Sequence, residues 1–206
     1  MSVREVKVAA ADLDRLRSSD PVMAAIVDRV GPLEYPVDSR LWRSLVGSIV
    51  GQQLSVAAAR TIRGRVAALG EGGDFPTPEA LVRLSDETLR GCGLSRAKVD
   101  YVRDAARAWI DGDVREDELS SLPDEVVIET LVKIRGVGRW TAEMVLIFCL
   151  HRPDVLALDD LGIQVAVQRA YGLAERPGRA KLAEIGVVWS PLRSLASRYL
   201  WRSLDS

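Results

Sequence analysis

The sequence predicts an all-α fold in two helical lobes flanking a cleft. Three observations predict it. Apolar residues recur at helical spacing through most of the chain from Leu41 onward, as in Leu41, Trp42, Leu45, Val46, Ile49 and Val50. Cap residues stand at the heads of these runs: Asp20-Pro21, Ser55, Thr77-Pro78, Ser85, Ser95 and Asp159 or Asp160. The connections are short and there is no repeat period. With 206 residues, of which 48% are hydrophobic, the chain has material for a sizeable core divided between two lobes.

Taken in order, Val3–Val8 alternates weakly and suits a short strand, and Leu13–Leu16 suits a helix. Asp20 with Pro21 starts a helix that Gly31-Pro32 ends. The Leu41 helix is interrupted at Gly51-Gln52-Gln53, and Ser55 caps a second one to about Leu69. Gly70–Asp74 reads as a loop, and Thr77, Ser85 and Ser95 open three more helices, the last running to about Asp111. Asp111–Leu122 is a polar connection. Asp124 begins a helix to Ile134, Gly136-Val137-Gly138 breaks it, and an apolar helix follows over Arg139–Leu150. Asp159 or Asp160 caps the next, which ends near Tyr171-Gly172. Gly178 to about Val188 and a segment starting at Ser190-Pro191 complete roughly ten helices. The expected division is an N-terminal segment, 1–40, packing with a C-terminal lobe, 151–206, and a central lobe, 41–150.

Composition excludes several classes. No apolar run reaches the ~20 residues of a membrane helix, and the acidic, non-apolar start MSVREVKVAAADLDR is unlike a secretory signal. An intracellular, cytoplasmic location is expected. Cys92 and Cys149 lie in apolar contexts and read as buried thiols; two cysteines cannot supply the four thiolates of an iron–sulfur cluster. The single histidine, His151, lacks metal-ligand neighbours. The net charge of −1 and pI of about 6.0 argue weakly against nucleic acid. Distribution matters more: Arg193, Arg198 and Arg202 gather near the end and Arg135 and Arg139 in the middle, while many acids fall in 71–87 and 111–125. Solvated helix faces explain the same pattern.

The informative stretch is Leu131–Phe148, LVKIRGVGRWTAEMVLIF. Two helices joined by Gly136-Val137-Gly138 make a tight turn, because glycine permits positive φ and removes the Cβ that would block a DNA backbone. The amides beyond the turn open a helix, where four N–H groups lack intrahelical partners. They form a phosphate site that grips without reading sequence. An ordinary helix–turn–helix corner would look similar if only Gly-x-Gly were present.

The run Ile134–Thr141 with Thr141-Ala142, followed about twenty residues on by Asp160 in LDDLGIQVAVQRAYG, resembles the helix-hairpin-helix (HhH-GPD) DNA glycosylases. The resemblance covers roughly residues 40–205, with Arg135 where proline is common. It implies that Asp160 is catalytic, with Asp159 as the rival carboxylate and otherwise a cap or supporting partner. It implies DNA contacts at Gln52, Gln53, Arg135, Gly136, Val137, Gly138, Arg139 and Thr141. Gln53, in SIVGQQLS, falls at the position of an intercalating wedge and Gln52 beside it; a polar interhelix corner is the plain alternative. Arg96 and Lys98 also fall in a family-like segment, either touching DNA or solvated.

Bifunctional members carry a lysine after the hairpin arginine, and Trp140 stands there instead, so an amine nucleophile is absent from that place. The implied reaction is hydrolysis of the N-glycosidic bond without strand cleavage. Tryptophan here resembles the 3-methyladenine glycosylase II branch, whose second pocket tryptophan aligns with Trp201 in WSPLRSLASRYLW, with Met144 in place of a pocket tyrosine. An indole face attracts a cationic methylated purine by ~0.5–2 kcal/mol; core packing is each tryptophan's simpler use. Asp160 would stabilise the oxocarbenium-like sugar, after the nucleotide is flipped out of the stack. No cofactor is required, although the family's hairpin often holds a structural Na+ or K+ on backbone carbonyls, here Val132, Ile134 and Val137. The expected partner is double-stranded DNA carrying damaged bases, with no membrane, and the protein is expected to be a monomer. Competing readings are a non-catalytic DNA-binding hairpin protein, a glycosylase for other damaged or mismatched bases, and a helical scaffold with a fortuitous motif.

Overall fold

The computed structural model describes residues 4–37 and 40–205. The chain divides into two compact units, one made of residues 39–145 and the other of residues 1–38 and 146–206. The regular secondary structure among the described residues is helical. The exception is a two-stranded antiparallel ribbon, β1 (Arg4–Lys7) with β2 (Glu34–Val37), in which Val6 faces Tyr35 across the register. The expected first strand is therefore present within shorter bounds. Its partner β2 escaped the sequence reading because EYPV contains a proline, which normally demotes a strand.

The unit of residues 39–145 is built on α3 (Leu41–Gly51), α4 (Val56–Ala67), α5 (Pro78–Arg83), α6 (Asp86–Gly91), α7 (Arg96–Ile110), α8 (Glu116–Leu119) and α9 (Asp124–Leu131), with most of α10 (Arg139–Phe148). Helices α3 and α7 pack together, with α4 on α3 and α5 on α7. Leu41, Leu45, Val46, Ile49 and Val50 form the buried stripe of α3, and Val99, Val102, Ala105 and Ala106 that of α7. Such stripes at i, i+3, i+4 spacing are what the apolar period demanded; each buried aliphatic side chain contributes about 1.5–3 kcal/mol. Ser55, Thr77, Ser85 and Ser95 each accept the amide three residues on, as expected of caps. The connection expected over Asp111–Leu122 contains α8, whose Leu119 is buried. One apolar residue among acids is too weak a period to detect. Helix α9 stops at Leu131, short of the expected Ile134, because Val132–Gly138 forms the turn into α10.

The other unit holds α1 (Ala10–Ser19), α2 (Pro21–Val30), the end of α10, α11 (Leu161–Ala170), α12 (Arg179–Gly186) and α13 (Arg193–Arg202). Helix α13 packs on α2 and α11, burying Leu195, Ala196, Tyr199 and Leu200. Asp20 caps α2 by accepting the Val22 amide at 2.8 Å, and its other oxygen accepts Trp189 Nε1 at 3.2 Å and the Tyr171 hydroxyl. One buried carboxylate thus ties the N-terminal segment to residues 171 and 189. Helix α13 begins at Arg193 rather than at Pro191, because Asp154 caps it from another loop: it accepts the Arg193 amide (3.3 Å), both ends of its guanidinium (2.7 and 2.9 Å) and the Ser190 hydroxyl (2.9 Å). No local pattern announces such a cap.

Candidate active site

Asp160 is the N-cap of α11. Its Oδ1 accepts the Ile163 amide at 2.7 Å and the Trp201 indole N–H at 2.8 Å, and the residue is 7% exposed. Aspartate suits this position because a helix N-terminus offers unpaired amides and a positive dipole end. Two N–H donors on one oxygen suit a carboxylate anion. The rival, Asp159, is exposed and pairs with Arg179. Of the two aspartates that could cap α11, Asp160 does so, its side chain accepting the Ile163 amide, and it is also the buried one.

The approach of Trp201 to Asp160 requires Gly162. A Cβ there would lie 2.9 Å from Trp201 Cδ1 and 3.1 Å from Asp160 Oδ1. The other side of the indole rests on Phe148, with centroids 5.4 Å apart and planes at 28°. The Arg198 guanidinium sits 4.5 Å from the Phe148 centroid and 3.9 Å from that of Tyr35. A cavity of about 640 Å3 opens beside this column, lined by Tyr35, Phe148, Arg198 and Trp201 among others. Its lining mixes these rings with charged side chains, Glu34, Arg202 and Asp205 beside Arg198. Phe148, Gly162, Arg198 and Tyr35 carry no motif of their own. Only the i, i+3 spacing of Arg198 and Trp201 hinted that they share a helix face.

Of the arginines of α13, two are held by other side chains and only Arg202 remains largely solvent-facing. Arg193 is held by Asp154, Arg198 lies between two rings, and Arg202 is 3.9 Å from Asp205. Burial lowers the pKa of Arg198 from its usual value. In the unit of residues 39–145, Trp42 donates Nε1 to the Pro76 carbonyl at 2.8 Å and meets Trp109 edge-on.

The hairpin lies in the unit of residues 39–145. Ile134 and Val137 are buried and anchor the turn, and the Val137 amide donates to the Ile134 carbonyl at 3.0 Å. Val132 ends α9. Gly136 has φ +85°, and a Cβ there would lie 2.3 Å from the Tyr101 ring, so this glycine serves both the turn and a close approach. Gly138 faces open space, with no atom within 4 Å of a notional Cβ. The first helical bond of α10 comes from the Ala142 amide to the Gly138 carbonyl at 3.1 Å. The amides before it open the helix, as an anion site needs.

Side chains around the turn depart from expectation. Arg139 is occupied by Glu125 (3.0 Å) and by Glu143 one turn on (3.1 Å); its pKa is raised and that of Glu125 lowered, in each case chiefly by their mutual hydrogen bonds. The Thr141 side chain is buried, so its hydroxyl is not a surface contact. Gln52 likewise turns inward, donating to the Gly136 carbonyl at 2.9 Å and the Thr141 hydroxyl at 3.4 Å. Buried polar groups must find partners, and these three satisfy one another. Lys98 is neither a solvated nor an outward-reaching lysine: it donates to the Val50 and Gln52 carbonyls at 2.8 and 2.7 Å, closing the end of α3, and burial lowers its pKa. Arg135 is exposed, 5.8 Å from the Tyr101 centroid and 4.0 Å from Asp100, and Arg96 is exposed. Gln53 is exposed with φ +56°, a left-handed conformation costing about 1–2 kcal/mol outside glycine. Leu54 beside it is 37% exposed, an apolar tip that the sequence reading passed over. Trp140 is 40% exposed and Met144 is buried. Cys92 and Cys149 are buried free thiols. No helix among the described residues is long and apolar enough to cross a membrane.

The chain is similar in sequence and fold to known proteins. Residues 46–191 match the family model described as the HhH-GPD superfamily base excision DNA repair protein. DNA-3-methyladenine glycosylase 1 of Schizosaccharomyces pombe is 36% identical over 163 residues, covering 79% of this chain and 72% of the relative. The Bacillus subtilis protein YfjP is 34% identical over 188 residues, 89% of this chain, which spans 66% of that relative's length. Among solved structures, the Schizosaccharomyces pombe 3-methyladenine DNA glycosylase Mag1 in complex with abasic DNA superposes with a TM-score of 0.88 at 32% identity, covering 96% of this chain and 98% of that one. A turn of backbone amides, a capped inward carboxylate and these matches have one reading: the chain belongs to the HhH-GPD superfamily of base excision DNA repair proteins.

Proposed function

We propose that this protein is a monofunctional DNA glycosylase of base excision repair. It hydrolyses the N-glycosidic bond of alkylated purines, 3-methyladenine and 7-methylguanine, and leaves an abasic site. The single observation that carries the reading is Asp160, buried at a helix N-terminus and hydrogen-bonded to the Trp201 indole, which with Tyr35, Phe148 and several charged side chains lines a cavity. The names of the relatives support the substrate class.

Each part has a physical role. The amides at the start of α10 and the open face of Gly138 hold a DNA phosphate; exposed Arg135 adds a charge contact. The extruded nucleotide leaves a gap that Gln53, at its exposed tip, fills. Asp160 faces the sugar as positive charge develops at C1′ and lowers the energy of that transition state. The departing base is already cationic, so little proton donation is needed, and water completes the reaction. Trp140 stands where bifunctional relatives place a lysine and offers no amine for a covalent intermediate. The carbonyl oxygens of Val132, Ile134 and Val137 are neutral hard donors of the kind a monovalent cation takes. Such an ion would stiffen the turn and supply no chemistry. The partner is double-stranded DNA bearing damage, met inside the cell by a monomer.

The test is base release from methylated duplex under single-turnover conditions. Asp160→Asn is expected to bind damaged DNA within about threefold of wild type and to lose at least ~100-fold in release rate. Near-normal release of 3-methyladenine by that variant would sink the mechanism. A panel including hypoxanthine and mismatched duplexes separates the alkyl-base reading from other glycosylase specificities.

A further inference from the structure

The hydrogen bond from Trp201 to Asp160 is only as well placed as the indole itself, and the indole is the end of a longer column. Trp201 lies on Phe148, Phe148 lies against the Arg198 guanidinium, and the guanidinium is covered on its far side by Tyr35. Arg198 and Trp201 stand three residues apart on α13 and so share a face. Arg198 Nη2 donates to the Ile147 carbonyl at 2.8 Å, which pins the guanidinium to the residue preceding Phe148. Among the described residues no carboxylate pairs with Arg198. Burial opposes its charge, yet arginine does not deprotonate in proteins. Two aromatic faces and one carbonyl are its compensation. An apolar residue would fill this place without the desolvation cost, so the charge and its fork of donors call for another role. What they add is direction: the guanidinium fixes the plane and position of Phe148, and Phe148 fixes the plane of the indole.

We propose that Arg198 is a positioning residue for the catalytic carboxylate, acting through Phe148 and Trp201 to keep the indole N–H on Asp160 Oδ1. The proposal concerns geometry that exists whether or not base is released; only its catalytic consequence rests on the glycosylase reading.

The experiment reads both levels in the full chain. Solvent exchange of the Trp201 indole N–H, assigned by its absence in Trp201→Phe, is expected to quicken at least about tenfold in Arg198→Met and to return most of the way in Arg198→Lys, which keeps the cation between the rings. Single-turnover release is expected to fall about tenfold in Arg198→Met while DNA affinity stays within about twofold, and Arg198→Met is expected to cost less than about twofold further in the Trp201→Phe background. Unchanged indole exchange in Arg198→Met, or losses from Arg198→Met and Trp201→Phe that multiply, overturn the proposal. If Arg198→Met melts too low to measure, Phe148→Leu interrupts the same column one ring nearer and must show the same exchange and the same non-additivity with Trp201→Phe. A wild-type protein that releases no base while Arg198→Met still quickens indole exchange would overturn the glycosylase reading and leave the column standing.

Discussion

The hairpin and the carboxylate site solve opposite problems with the same residue types. At the hairpin, the backbone amides at the head of α10 are left for a ligand while several polar side chains are engaged within the protein. Arg139 is spent on Glu125 and Glu143, Thr141 is buried, and Gln52 and Lys98 close carbonyls of the turn and of α3. At Asp160, to which the proposed function gives the chemistry, packed side chains set the geometry: Gly162 makes room, Trp201 donates, and Phe148 and Arg198 stack behind the indole. A surface that must accept any duplex needs donors without sequence preference, which amides supply. A surface that must act on one bond needs a carboxylate whose position is over-determined, which only packed side chains supply. On the proposed function, grip and chemistry are separable by mutation.

The largest expected effect is at the hairpin. Gly136→Ala forces a left-handed alanine and drives its methyl into Tyr101; a loss of about 2–4 kcal/mol in stability by denaturant melting is expected, with DNA binding lost alongside it. A variant of normal stability would show that the turn is softer than its geometry implies. Next comes Gly162→Ala, whose methyl parts Trp201 from Asp160. About a tenfold drop in single-turnover release, equivalent to ~1.4 kcal/mol, is expected at unchanged DNA affinity. A matching loss of affinity would erase the distinction between the two regions. Gln52→Ala removes the tie to Gly136 and Thr141, and about 1 kcal/mol of stability with weaker DNA binding is expected.

Smaller effects divide the arginines. Arg135→Ala is expected to lower the salt slope of DNA binding by about 1, whereas Arg139→Ala acts through the hairpin's stability instead. The Glu125–Arg139 bond gives the smallest effect. The Glu125 carboxyl is held below its usual value by Arg139, so in the folded state it keeps its charge to lower pH than in the unfolded chain. Its stabilisation is present above the ordinary carboxylate range and is lost as pH falls through the depressed value. Being two-thirds exposed, with a side chain at 65%, the pair is screened, and under about 0.5 kcal/mol is expected to separate wild type from Glu125→Gln above pH 6.

Several features were legible in the chain because they are local. Helix heads such as Asp20-Pro21, Ser55, Thr77-Pro78 and Ser95 announce themselves by capping chemistry, and the structure has a helix at each. The turn at Gly136–Gly138 and the carboxylate at Asp160 were readable from glycine's freedom and from motif spacing. The partners of those residues were not. Tyr101 against Gly136, Lys98 on the end of α3, Asp154 on Arg193 and Asp20 with Tyr171 and Trp189 join positions 35 to 169 residues apart. No period or cap rule relates such positions.

What the sequence by itself determined is the class of the fold, the place of the turn and a carboxylate at the head of α11. Each depends on one residue's own conformational or chemical preference, which travels with the chain. What only the tertiary structure decided is which charges remain for DNA and which ring holds Asp160. The arginines at 139, 193 and 198 read alike as letters, yet one is closed by two acids, one by a distant aspartate and one by two aromatic faces. The physical reason is that a side chain's charge is available only after its partners are known, and partners are chosen by packing.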